Sequence, residues 1–482
     1  MMSKICRPMI WVVTAIVVVA ATLVRAEAVR VFRAGAATSN ITPPLDERLV
    51  GGWDSPLATH IHDELYARCL VLDDGETKLA IVLVDSLGVS REVCETAGRM
   101  IEDKAGIPAR NLMIAATHTH SSIPARGSSR VNAHETFSDY EGFLVRRIAD
   151  GVRRAVNNLE PARIGWGRAE EPTQVFNRRY FMKPSTPTPS PFGGIDQVVM
   201  NPGQGNPNIL KAAGPTDPEV AFLSVQSKEG RPIALLANYS LHYVGPAAGN
   251  VISADYFGVF ADRIQELLGA DRLAPPFVGI LSNGTSGDIN NINWLQKPSE
   301  RWPPYAKMKH VADAVARAVY ESHRQVVFHD WVKLDARRQE LSLAVRKPTQ
   351  EQLAYAREVL SKPDDAPRHH PRERVYANRV QRLADAPDRR EVVLQVFRIG
   401  DVGICAIPFE VFVEIGLQLK RDSPLGQTFT ISHANGGHGY LPTKEQHEMG
   451  GYETWLGTNT VEIQAASRIT NALLSMLREL DV

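Results

Sequence analysis

Aliphatic runs of strand length alternate along the chain with stretches whose apolar residues recur every three or four positions. Residues 65–72 and 79–85 are continuous apolar runs joined by Asp73-Asp74-Gly75, and so predict a β-hairpin. Residues 91–105 carry a helical repeat. Residues 111–116 form a short apolar strand that runs straight into Thr117-His118-Thr119-His120. In 140–159, Phe143, Leu144, Ile148, Val152 and Val156 share one helical face; in 305–323, Met308, Val311, Val315 and Val319 do the same. Strands are predicted at 233–239, 277–282 and 428–432. A second hairpin is predicted from 392–398 and 402–406, a short helix at 410–419 and a closing helix at 461–480. Charged surface helices are expected at 350–360 and 372–383, with the Asp-, Pro-, His- and Arg-rich stretch 362–374 as an excursion from the core. Residues 183–218, rich in Pro, Gly, Ser and Asn, read as a long loop, a kind of segment that is often functional in a compact domain. The expected fold is α/β (or α+β): one large domain over residues 29–482, with mixed β-sheets and flanking helices.

The first 28 residues follow a different rule. Lys4 and Arg7 precede an apolar run from Met9 to Val24, and Val24-Arg25-Ala26 and Ala26-Glu27-Ala28 offer small-residue exits. This is the layout of a signal peptide, so a secreted or periplasmic protein is expected. The run is shorter than the roughly 20 residues of a membrane span; an uncleaved anchor is the alternative. The remaining composition adds little. The chain is 44% hydrophobic and 22% charged, and its 54 basic residues balance 54 acidic ones, which gives no basis for a nucleic-acid partner. Cys6 lies in the leader. Cys69, Cys94 and Cys405 are widely spaced without a CxxC, so they form neither a disulfide framework nor a zinc ribbon. Cys69 and Cys405 are expected in the core.

Chemistry concentrates where strands end. Ligands of open α/β sheets sit beyond the carboxyl ends of strands, and there the chain places Asp85, His118, His120, His242, residues 283–293, Glu410 and Tyr440. On an extended segment residues i and i+2 point the same way. His118 and His120 would then present two imidazoles to one metal, or one to a metal and one to a substrate; a hydrogen-bonded strand-end pair fits equally well. His242 by itself is more often a core or loop histidine. Glu410 is predicted to open a helix, where the dipole favours a carboxylate. Two histidines and Glu410 would meet the three-ligand need of an open zinc site. Asn283-Gly-Thr-Ser-Gly-Asp288 lacks the GK[ST] of a phosphate loop and Gly51-Gly52 lacks GxGxxG, so neither supports a nucleotide. Asn40, Asn238 and Asn283 open N-x-[ST] sequons, and His369-His370 reads as part of a solvated charged face.

An ordered series of segments adds to this. They are Gly35-Ala-Ala-Thr-Ser-Asn-Ile-Thr-Pro-Pro44, His62-Asp63, Ala67-Arg68, Asp85, Thr117-His-Thr-His-Ser121 and Asn177-Arg178. Residues 238–242, Ser253-Ala-Asp255, Gly287-Asp288, Pro408-Phe-Glu410, Gly439-Tyr440 and Tyr452-Glu453 follow. Together they resemble the N-terminal catalytic domain of the neutral/alkaline, non-lysosomal ceramidases. The resemblance implies one zinc held by His118, His242, Glu410 and Tyr440, with His120 at the substrate and Arg178 and Tyr452 on its carbonyl or oxyanion. Asp288 and Asn283 are expected to bind substrate. Zinc lowers the pKa of water to roughly 7, and one oxyanion donor is worth about 3 kcal/mol. Such a site would hydrolyse an amide of the N-acylsphingosine kind.

Two departures from the family pattern matter. Ceramidases continue Gly-Asp into Ser-Pro-Asn, with that Ser in the active site. Here the run is Gly287-Asp288-Ile289-Asn290, and Asn290 stands at the Ser position. Its amide can hydrogen-bond a substrate but cannot be a nucleophile. Full-length ceramidases also continue into a β-sandwich domain, which this chain, ending at Val482, is expected to lack. The expectation is therefore a zinc-dependent hydrolase with a small-molecule or lipid substrate, compatible with peripheral membrane association. The alternatives are the same zinc site acting on an ester or N-acyl sugar, and a non-catalytic extracellular binding protein on this fold.

Overall fold

Successive residues of the apolar runs face two different cores, which is why the runs are continuously aliphatic rather than alternating. The computed structural model describes residues 30–123, 125, 137–245, 249–298 and 301–481. In it, β1 (Arg33–Asn40), β2 (Tyr66–Asp73), β3 (Lys78–Val84), β4 (Leu112–Ala116), β5 (Glu160–Glu170), β6 (Glu219–Ser227), β7 (Pro232–Tyr239) and β8 (Val278–Asn283) form one mixed sheet. Its order is β8-β7-β6-β5-β1-β2-β3-β4. A second sheet, β9-β10-β11-β12, is built from Leu334–Ala344, Arg389–Ile399, Val402–Ile407 and Gln427–Ser432.

The two sheets pack face to face. Leu70, Leu72, Ile81, Leu83, Ile164, Leu223 and Leu236 of the first share one buried cluster with Phe397, Ile404, Phe429 and Ile431 of the second. Helices cover the outer faces. Over the first sheet lie α1 (Arg91–Ala105), α2 (Asp139–Asn157), α3 (Asp255–Leu267) and α4 (Ala306–His323). α5 (Gln350–Ser361) and α6 (Glu373–Ala384) share a satellite core. α7 (Val413–Asp422) and α9 (Ala465–Leu480) cover the second sheet, and the short α8 (Lys444–Met449) lies between them in sequence. Mixed sheets with flanking helices are thus observed, and residues Val31–Val482 form one compact unit. The predicted leader, residues 1–28, lies outside the described residues. Among the described residues no helix is long and apolar enough to cross a membrane.

Local chemistry explains the boundaries. In the β2–β3 hairpin the Asp73 carboxylate accepts from Gly75 N, and the Asp74 carboxylate from Glu76 N and Thr77 N. α2 opens with a capping box of Ser138 and Glu141. At Gly35 a Cβ would stand 2.2 Å from the Ala155 carbonyl oxygen, so only glycine lets β1 lie against the end of α2. Cys69, Cys94 and Cys405 are free and buried.

Three expectations change. Residues 183–218 are not one loop, because Val198–Met200 and Ile209–Ala212 pair on either side of Arg179–Met182 in a small sheet. These strands are short and half-exposed, and carry no alternation to betray them. The helix expected from 410 begins only at Val413, since Glu410–Val411 is a strand paired in parallel with Tyr440–Leu441. Strands β1, β5, β6 and β9 and helix α3 were not anticipated. β1 is built of small residues, and β9 is charged along its exposed half.

Candidate metal centre

Three strand pairs in the two sheets are parallel: β3 with β4, β7 with β8, and β11 with β12. Parallel neighbours release their loops at the same edge, where open sheets bind ligands. β4 leads to His118 and His120, β7 to His242, β8 to 284–288, β11 to Glu410, and β12 to the loop ending at Tyr440. Ala116 N donates to the His433 carbonyl, which joins the two sheets at this edge.

The histidines converge. His118 has a φ of 72°, so the Thr117–His120 segment is not extended; a left-handed residue, not strand alternation, turns both rings to one point. Each Nδ1 meets a backbone carbonyl: His118 to Leu87 O at 2.6 Å, His120 to Gly51 O at 2.9 Å and His242 to Ser286 O at 2.8 Å. A carbonyl oxygen can only accept, so each Nδ1 carries the hydrogen, and the neutral form that binds a metal would turn a bare Nε2 inward on each ring. His118 Nε2 lies 3.1 Å from the Nε2 of His242 and 3.1 Å from that of His120. Lone pairs so close repel unless a cation lies between them. Zinc–nitrogen bonds of about 2.0–2.1 Å in a tetrahedron separate ligand nitrogens by about 3.3 Å. Glu410 Oε2 adds a carboxylate 3.6 Å from His118 Nε2 and 3.9 Å from His242 Nε2. Burial, reinforced by the neighbouring rings, holds His120 well below the usual imidazole range. Burial, with Arg178 and His118, does the same for His242. Neutral imidazole is the ligand form. The residues therefore fit a divalent metal, and three histidines rather than two face it.

A charged layer supports this point. Glu410 and Tyr440 are direct partners in the parallel two-residue ladder, so one backbone pairing positions both. Arg178 Nη2 donates to the Tyr440 hydroxyl at 3.0 Å, and its Nε donates to Glu453 Oε1 at 2.9 Å. Burial works against the Arg178 charge, but Tyr440, Glu453 and Glu410 more than offset it and hold the guanidinium protonated. The other Glu453 oxygen takes Arg179 Nη1 at 2.6 Å.

The remaining expected residues divide. Tyr452 is half-buried, its ring 5.7 Å from that of Tyr440 and 5.9 Å from that of Trp53. Asn283 and Asp288, expected at the substrate, are fully buried clamps. Asn283 Nδ2 donates to the Thr117 carbonyl and its Oδ1 accepts from Ser286, so it fixes the histidine segment. Asp288 accepts from Asn177 Nδ2 and Val413 N. Asn290 donates to Asn201 Oδ1 and accepts from Ile292 N, which commits its amide to the loop. Sequence reasoning missed His433, stacked on His118 at 4.0 Å, and Tyr243, stacked on His120 at 3.7 Å. Tyr243 adjoins His242 in the chain, the one signal that pointed to it. A cavity of ≈ 340 Å³ opens beside His120, lined by Tyr243, Trp53 and residues 49–52.

Asp255 pins the chain just beyond His242, accepting from Val244 N, Gly245 N and Tyr256 N. Burial pushes its carboxyl up to about 6 in spite of these donors. The folded protein thus keeps a proton that the unfolded chain, with an ordinary carboxyl near 3.8, has already released. This contribution to stability is full below the unfolded value and is lost as pH rises through about 6, a change of about 3 kcal/mol. Asp255→Asn is expected to flatten the stability profile of metal-free protein across that window. Denaturant midpoints check it, and an unchanged slope would contradict it.

Comparison with known proteins places this geometry. The family model described as neutral/alkaline non-lysosomal ceramidase, N-terminal, matches residues 32–297, more than half of the chain. The crystal structure of neutral ceramidase from Pseudomonas aeruginosa superposes with a TM-score of 0.68 at 18% identity, covering 94% of this chain and 74% of that one. A ceramidase complexed with C2 superposes at 0.69 with 19% identity, covering 94% and 75%. The fold is shared with both.

Proposed function

The chain belongs to the neutral/alkaline, non-lysosomal ceramidase family, and from that premise we propose that it is an exported, zinc-dependent hydrolase that cleaves an amide of the N-acylsphingosine kind. The observation that carries the metal reading is the trio of inward Nε2 atoms, each fixed by an Nδ1 bond to a carbonyl, with Glu410 beside them. His118, His242, Glu410 and Tyr440 would hold the ion, which when bound supplies an activated water and polarises the carbonyl. His120 is the histidine that lines the open cavity, and we assign it to the substrate. Tyr452, its ring 5.7 Å from that of Tyr440, is the hydroxyl donor in this reading. Arg178 keeps positive charge against the Tyr440 oxygen and, in this reading, against the developing oxyanion.

Stoichiometric zinc in the purified protein, with turnover of a short-chain fluorescent ceramide, is the expected result. Protein without zinc and without recovery on adding zinc would overturn the reading. His120→Ala is expected to keep the metal and lose activity by about 10²- to 10⁴-fold; loss of zinc in that variant would make His120 a ligand instead. A second reading, a compact amide, ester or N-acyl sugar as substrate, is favoured by the size of the cavity at His120 and by the commitment of Asn290 to Asn201. Turnover of such compounds without turnover of the ceramide would select it.

A further inference from the structure

A second cavity of ≈ 310 Å³ opens beside Tyr452. Its walls include Tyr452, Trp455, Met200, Asp196, His370 and Arg372. The last two come from the stretch that joins α5 to α6. His370 was expected on a solvated charged face; instead it is half-buried, edge-on to Trp455 at 5.1 Å. Arg372 lays its guanidinium flat on Trp53, 3.3 Å from the ring centroid. Trp53 in turn lines the cavity at His120. The Arg372–Trp53 stack is therefore the partition between the two cavities, one reached from His120 and the other from Tyr452.

The charge on this partition is unbalanced. Arg379 stands behind Arg372, 5.9 Å from the same Trp53 ring and 4.8 Å from that of Tyr376. Among the described residues neither arginine forms an ion pair with a carboxylate, and the nearby acids are engaged elsewhere. Glu373 accepts from His369 N, His370 N and the Tyr355 hydroxyl. Asp196 accepts from Trp455 Nε1 at 2.7 Å. A guanidinium on the wall of an aromatic cavity, with no carboxylate in ion-pair range, is a donor set for a planar anion. An uncharged alkyl chain would leave that charge desolvated and unmatched.

We propose that this cavity is a subsite for a compact anionic group of the carboxylate class carried by the substrate, with Arg372 as its donor and Arg379 behind it. The proposal rests on the hydrolase reading in its second form, the compact substrate, and names the charge that such a substrate carries. Hydrolysis itself is unchanged: the amide C–N bond breaks, the oxygen of water goes to the acyl carbon, and a proton goes to the departing amine.

The test compares charged and neutral partners on each half of an amide, with the zinc-loaded protein. N-hexanoyl-4-aminobenzoate is set against N-hexanoyl-4-aminobenzamide, and the anilide of adipic acid monoamide against the monoanilide that keeps its carboxylate. In one pair the anion is expected to raise kcat/KM by about tenfold. Arg372→Gln should bring that ratio to about one, and Arg372→Lys should restore part of it. Equal kcat/KM within both pairs, or a ratio untouched by Arg372→Gln, would overturn the subsite. Calorimetric binding of 4-aminobenzoate against 4-aminobenzamide, and of adipate monoamide against adipamide, is the arm that does not depend on turnover. A charge preference in binding that Arg372→Gln abolishes, with no hydrolysis of any compound, would leave the subsite standing and sink the hydrolase reading alone.

Discussion

His118→Ala is expected to stay folded, to lose more than about a hundredfold in zinc affinity, and to lose hydrolysis with it. The reason is position. His118 Nε2 is the common neighbour of the other inward atoms, 3.1 Å from His120 and His242 and 3.6 Å from Glu410 Oε2. Removing even an outer partner of a metal ligand costs about 10- to 100-fold, and a central ligand should cost more. Glu410→Ala is expected to behave alike, because its strand partner Tyr440 is a proposed ligand as well. Metal content after dialysis against a chelator, with circular dichroism to verify the fold, measures both. Retention of stoichiometric zinc by either variant would refute the assigned ligand set.

The second large effect is on stability. Glu453→Ala should destabilise the protein by about 3–5 kcal/mol, the range for breaking a buried ion pair by removing one partner. Glu453 is fully buried and holds two guanidiniums, Arg178 through one oxygen and Arg179 through the other. Without it Arg179 stays buried with only neutral hydrogen-bond partners, and Arg178 keeps only Tyr440 and the charge of Glu410. The midpoint of denaturant unfolding should fall with an unchanged slope. A shift of less than about 1 kcal/mol would mean that water or another acid replaces the carboxylate. Arg179→Met in the same background should recover part of the loss, since it removes the charge left stranded.

The long, strongly patterned elements were legible from the chain. The β2–β3 hairpin, α1, α2, α4 and the β10–β11 hairpin fall close to their predicted bounds, because burial on both faces or one face imposes a clear period. Elements that draw their stability from partners were not legible. β1 pairs with β2 along its whole length yet holds only small residues, since it must pass under α2 at Gly35. The strands at 198–200 and 209–212 exist because Arg179–Met182 runs between them. Glu410 shows the same limit. Its segment carries a helical pattern, but a parallel partner 30 positions along the chain keeps it extended.

For the site, residue type and order along the chain pointed to the groups able to act: the histidines, Glu410 and Tyr440 through their place at strand ends, and Arg178 and Tyr452 through the family resemblance alone. Direction was decided by the tertiary structure. The Leu87, Gly51 and Ser286 carbonyls choose the tautomers and so turn every Nε2 inward. A left-handed His118, not strand alternation, brings His120 into the group. Packing sends Asn283, Asp288 and Asn290 into clamps, and lifts His370 and Arg372 from an apparent surface run to the wall of a cavity. Hydrogen-bond direction and burial depend on neighbours remote in sequence, so the chain by itself specified the chemistry, and only the stacking of its two sheets decided where each group points.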